Sequence, residues 1–85
     1  MRTKEGLEIS QRIERLEALL RARSETAWAD RLNAAVAGGA TGTEILFRVG
    51  AELHEFVRSG VAKTQGCERE AKDLRGKIGW HLKRI

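Results

Sequence analysis

No proline interrupts this chain, and its apolar residues recur at intervals of three and four within four segments, the later ones separated by glycine-bearing stretches. That pattern predicts an all-α fold, a compact bundle of about four helices, one of them short. In the first segment, near residues 7–23, Ile9, Ile13, Leu16 and Leu20 form the narrow seam of a coiled-coil-like contact, which Leu19 widens. Glu8 with Arg12 and Glu17 with Arg21 are acid-before-base pairs that add a few tenths of a kcal/mol each. The second helix, near 25–37, takes Ser24 as its N-cap and Gly38 and Gly39 as its stop, with Trp28, Leu32, Ala35 and Val36 inward. The third, near 43–60 with Thr43 as N-cap, carries Ile45, Leu46, Val49, Leu53, Phe56 and Val57 on a wide arc and is the central core helix. Gly50 falls inside that arc, costs about 1 kcal/mol of helix propensity relative to Ala, and calls for close crossing by the first or fourth helix.

The fourth helix starts between residues 64 and 68 and runs to the end, with Cys67, Ala71, Leu74, Ile78, Leu82 and Ile85 inward. Ile78, Trp80 and Leu82 also alternate at period two, so a short strand pairing between subunits is the minor alternative. Residues 1–85 form a single domain, in which 1–6 are expected to be a disordered N-terminus. A chain of 85 residues is close to the lower size at which one core sustains itself, so homodimerisation or a bound partner is expected to add stability.

The formal net charge of +4 sits in the last third, where residues 61–85 hold seven basic and three acidic groups. A basic end favours phosphates, acidic proteins or anionic lipid through attraction that salt weakens. The single cysteine, Cys67, forms no intramolecular disulfide and supplies no zinc site, so a cytoplasmic setting is expected. Neither a signal peptide nor a membrane span is expected, because no stretch approaches the roughly 20 apolar residues that a span needs.

Catalysis and cofactors are not expected. Gly38, Gly39 and Gly42 precede a helix, but Glu44 stands where a phosphate loop needs Lys, so a helix stop and turn explain them. His54 and His81 have no acid or second histidine at helical metal-site spacing and read as boundary residues; a meeting with Cys67 in space stays open. No serine, cysteine or lysine lies in a recognisable nucleophile motif. A helix-turn-helix built on the second and third helices would offer bases only Thr43, Glu44 and Arg48, a poor reading surface.

What remains is the fourth helix. At about 100° per residue, Trp80 projects opposite the apolar face, among Arg69, Lys77 and Arg84. Trp is enriched at binding hot spots because it removes a large apolar area from water and keeps a donor N–H. A small non-enzymatic regulator, inhibitor or adaptor is therefore expected, binding a macromolecular partner, in the first instance a protein, through Trp80, Arg69, Lys77 and Arg84. The alternative is a nucleic-acid-binding protein using Lys72, Arg75, Lys77, Trp80, Lys83 and Arg84, with the indole stacking on an exposed base. Peripheral lipid contact is weaker, since the apolar face belongs to the core.

Overall fold

Each apolar stripe of the sequence becomes the inner face of a helix. The computed structural model describes residues 4–83, with side chains from residue 7 onward. Its elements are α1 Lys4–Ala22, α2 Thr26–Gly38, α3 Gly42–Arg58, the single-turn α4 Val61–Thr64 and α5 Glu68–Lys83. The described residues contain no strand, so the alternative for Ile78, Trp80 and Leu82 gives way to the last turns of α5. Only a helix aligns Ala71, Leu74 and Ile78 on one seam, and all three are buried. α1 opens at Lys4, inside the stretch expected to be disordered; residues 1–3 of that stretch, together with Arg84 and Ile85, lie outside the described residues.

Four long helices run up, down, up and down, with neighbours antiparallel. Polar contacts fix that register. Arg31 meets Glu52 at 2.7 Å and Arg48 Nε donates to the Ala35 carbonyl at 3.2 Å, which pairs α2 with α3. Lys77 meets Glu8 at 2.8 Å and Arg12 meets Asp73 at 2.8 Å, which pairs α5 with α1. α2 and α5 flank α3, α1 closes the ring opposite it, and the expected crossing at Gly50 is made by α5. A Cβ on Gly50 would stand 3.7 Å from Ile78 Cγ2, an ordinary van der Waals contact. The radius of gyration, 11.9 Å, equals the value of about 12 Å for a compact chain of this length, so the core closes within one chain.

That core is contributed by every element: Ile9, Ile13, Leu16 and Leu20 from α1, Leu32 from α2, Leu46, Val49, Leu53 and Phe56 from α3, Ala62 from α4 and Leu74 and Ile78 from α5. Trp28 packs on its edge, 5.2 Å from the Phe56 ring centre, with the Arg31 guanidinium 4.2 Å above the indole. Val36, expected inside, is exposed instead. It occupies the last turn of α2, and Leu7, near the start of α1, is exposed too.

Both expected caps move. Ser24 is not the N-cap of α2; it ends α1 in the left-handed region at φ 63°, donating to Arg21 while Glu25 donates to Leu20, the double bond of a Schellman stop. Gly66 at φ 71° makes the same closure after α4, with Gly66 donating to Lys63 and Cys67 to Ala62. Thr41, rather than Thr43, caps α3, its Oγ1 accepting from the Glu44 N–H at 3.1 Å. Thr41 has the extended backbone an N-cap requires, whereas Thr43 is already helical.

These stops generate two opposite expectations. Ser24→Gly relieves a left-handed non-glycine residue and is expected to stabilise the fold by about 1 kcal/mol. Gly39→Ala is expected to destabilise it by about 1–3 kcal/mol, because the new Cβ would lie 2.4 Å from Ile45 Cγ1 and 2.9 Å from its backbone N. Denaturant unfolding of both variants, read as a shift in midpoint at constant slope, checks both signs.

Candidate functional site

Burial of Ala71, Leu74 and Ile78 sets the rotation of α5 and turns Trp80 outward, where it is 59% exposed. Arg69 lies three turns earlier on nearly the same line of the helix and is exposed. These two residues of the expected partner site are brought onto one face. Lys77 is not. It points to the α1 side, where its Nζ meets Glu8 Oε1 at 2.8 Å, because α1 packs along that flank. Arg84 lies outside the described residues.

The expected nucleic-acid set is likewise divided. Lys72 faces Glu68 one turn back at 3.6 Å. Arg75 turns toward α3, where its Nη1 lies 3.4 Å from His54 Nδ1. Lys83 is exposed, and neither it nor Arg69 makes an ion pair among the described residues. On the α1 flank of α5, Arg12 bridges Glu70 and Asp73 at 3.0 and 2.8 Å. Burial disfavours its cation, but the hydrogen bonds that Arg12 donates to Asp73 and Glu70, with their charges, outweigh burial and hold its pKa above the ordinary arginine value. That flank is an internal electrostatic joint between helices.

Phe47 was not anticipated as part of a surface. It is 62% exposed on α3, beyond the arc that fills the core. Gly50 opposite Ile78 and His54 opposite Arg75 put α3 and α5 in antiparallel register, so Phe47 and Trp80 stand at similar heights. Leu7, Val36, Phe47 and Trp80 are the exposed large apolar residues among those described, and all fall at the end of the bundle where α1 and α3 begin and α2 and α5 finish. The signal in the sequence was Phe47's place outside the α3 arc, but only the packed register sets it near α5.

The remaining candidates separate. His54 is exposed beside Arg75, and Cys67 is buried between α4 and α5 at the opposite end of the bundle from His81. Among the described residues no group of three or more His, Cys, Asp or Glu side chains is placed to hold a metal ion. Gly38 and Gly39 serve the turn between α2 and α3, where the Arg48 guanidinium occupies the space a side chain at Gly38 would need and Ile45 the space one at Gly39 would need. No helix of the described residues is long and apolar enough to cross a membrane. No protein-family model, curated protein or solved structure matches this chain.

Burial pushes the Cys67 thiol up, more than the nearby Arg23 charge lowers it. The folded chain then keeps its proton where the unfolded chain has released one, so stability is unaffected at low pH and falls as pH rises through about 8.5. Wild type is expected to lose stability relative to Cys67→Ala between about pH 8 and 10, and its thiol to react with a disulfide reagent far more slowly when native than when unfolded. Equal slopes of midpoint against pH for the two proteins would contradict this.

Proposed function

We propose that this protein is a small non-enzymatic regulator, inhibitor or adaptor that works by occupying a surface of a protein partner with the outer face of α5. The observation that carries the proposal is Trp80, 59% exposed on a helix whose inner face is already committed to the core. Covering the rest of the indole removes on the order of 100 Å² of largely apolar area from water, about 2.5 kcal/mol at the usual transfer coefficient. Arg69 and Lys83 flank it with charge that is not used inside the fold, which favours an acidic partner and speeds its encounter. A cytoplasmic place of action goes with this role, since the one thiol is free and buried.

Nucleic-acid binding through the same helix is the second reading, supported by an exposed Trp with Lys72, Arg75 and Lys83 nearby. It is the less favoured because affinity for a phosphate backbone grows with the number of cations that contact it, and here Lys77 and Lys72 are held by Glu8 and Glu68. A homodimer through this face is also disfavoured. Antiparallel pairing of two α5 helices would set Arg69 of each copy against Lys83 of the other, and parallel pairing would oppose each cation to itself.

The test begins with immobilised protein, nuclease-treated lysate and reconstitution of the captured protein in purified form. Trp80→Ala is expected to weaken the reconstituted complex about thirtyfold, roughly 2 kcal/mol, while Lys72→Ala and Lys83→Ala each change it less than about threefold. A partner held equally by wild type and Trp80→Ala would sink the proposal. In parallel, labelled single- and double-stranded DNA and RNA are titrated with a Trp28→Phe variant, in which Trp80 is the sole indole reporter. Quenching at physiological salt that fades as salt rises would move nucleic acid to first place.

A further inference from the structure

On the surface of α5, Arg69, Lys72, Gly76, Gly79 and Lys83 follow one another at three- and four-residue steps and so share one stripe. It extends over about 21 Å at 1.5 Å per residue, between the flank that packs on α3 and the line of Trp80. Cations occupy its two ends and glycines its middle. A Cβ added at Gly76 or Gly79 would meet nothing within 4 Å, so these glycines serve no close packing inside the described fold. Trp80 lies beside the stripe on α5, and Phe47 stands at a similar height on the neighbouring α3, 59% and 62% exposed. A shallow depression lined by Glu68, Arg69, Lys72 and Asp73 continues it toward the start of α5.

We infer that this stripe seats an amphipathic helix of an acidic protein partner, its apolar residues lying over Gly76 and Gly79 near Phe47 and Trp80 and its carboxylates meeting Arg69 and Lys83. The inference rests on the proposed partner-binding role and names the class of partner. Its basis is charge together with form. Among the described residues Glu68 is met by Lys72 and Asp73 by Arg12, whereas Arg69 and Lys83 make no ion pair, so the uncompensated charge along the stripe is cationic. A missing pair of side chains allows a second helix to approach the α5 backbone, and two exposed aromatic rings nearby can meet its apolar face. The described residues include no sheet edge on which a strand could add, which leaves helix-in-groove docking as the mode this surface suits.

The probe is a fluorescein-labelled peptide of about twenty residues, with Leu and Ala at i, i+3, i+4 and i+7 positions and Glu and Asp elsewhere. Two controls accompany it, a scramble of the same composition and a version with Lys in place of every acid. Fluorescence anisotropy is expected to show the acidic amphipathic peptide binding at least about tenfold more tightly than either control. Two variants of the protein locate the site. Gly79→Gln fills the floor without changing charge and strengthens the helix, so loss of about tenfold in affinity with an unchanged or raised Tm cannot be unfolding. Arg69→Glu with Lys83→Glu is expected to reverse the preference toward the lysine peptide.

Equal binding of all three peptides, or binding indifferent to both variants, overturns the inference. So does a single-stranded oligonucleotide that displaces the peptide at physiological salt, which would assign the stripe to nucleic acid, or a dimer in sedimentation that Gly79→Gln dissolves, which would assign it to a second copy. The partner-binding role fails separately. A captured partner weakened by Trp80→Ala but by neither stripe variant removes only the docked helix, whereas a partner indifferent to Trp80→Ala removes the role itself.

Discussion

The rotation of α5 about its own axis is the constraint on which the rest of this surface depends. A helix packed against two neighbours keeps one such freedom, and placing Ala71, Leu74 and Ile78 in the core removes it. Ile78 and Trp80 are two positions apart, so their side chains diverge by roughly 160° around the axis, and an inward Ile78 forces an outward Trp80. The packing that stabilises the bundle therefore also displays its largest exposed side chain. Core and surface are one decision made at 3.6 residues per turn.

The same rotation sorts the charges of α5 by use. Residues on its α1 flank, Glu70, Asp73 and Lys77, meet Arg12 and Glu8 and act as joints between helices. Exposed pairs of this kind contribute little energy each, typically below about 1 kcal/mol, but they set register, since only one axial offset satisfies Glu8 with Lys77 and Arg12 with Asp73 together. Residues on the opposite arc have no such duty. Arg69 and Lys83 remain in solvent, and the excess positive charge of the sequence's last third resolves into an internally neutralised flank and an outward cationic stripe.

Most of the fold was legible because period and punctuation agree. The inward residues foreseen for the first and last helices are buried where described, except Leu19 and Leu82, which pack part-buried on the core's edge, and the α5 crossing at Gly50 is one of the two foreseen. What escaped has local causes. Ser24 was read as opening α2, yet a serine between two helices is also able to close the first, and the choice depends on its φ, which composition does not encode. α4 was missed because four residues are too few to show a period; it is recognisable only by Gly60 and Gly66 in the left-handed region on either side and by the buried Ala62. For the site, a helical wheel places Trp80 and Arg69 on one face but cannot know that α1 will claim Lys77 or that α3 will set an exposed Phe47 at a similar height. Those are facts about neighbours, and a wheel has none.

Gly76 and Gly79 bear most directly on what α5 is for. Each lowers helix propensity by about 1 kcal/mol relative to Ala, in a domain of a size whose total stability is typically about 4–13 kcal/mol. At three other positions glycine has a structural reason: Gly39 makes room for Ile45, and Gly60 and Gly66 adopt backbone that other residues resist. Gly76 and Gly79 have neither reason, since both are helical and both face open space. A local preference that folding alone opposes, placed near two exposed aromatic rings and between two solvent-facing cations, is where a sequence departs from the demands of its own structure. On the proposed reading the lost propensity is offset in a complex rather than in the isolated chain, when a partner's backbone lies where two side chains would have stood.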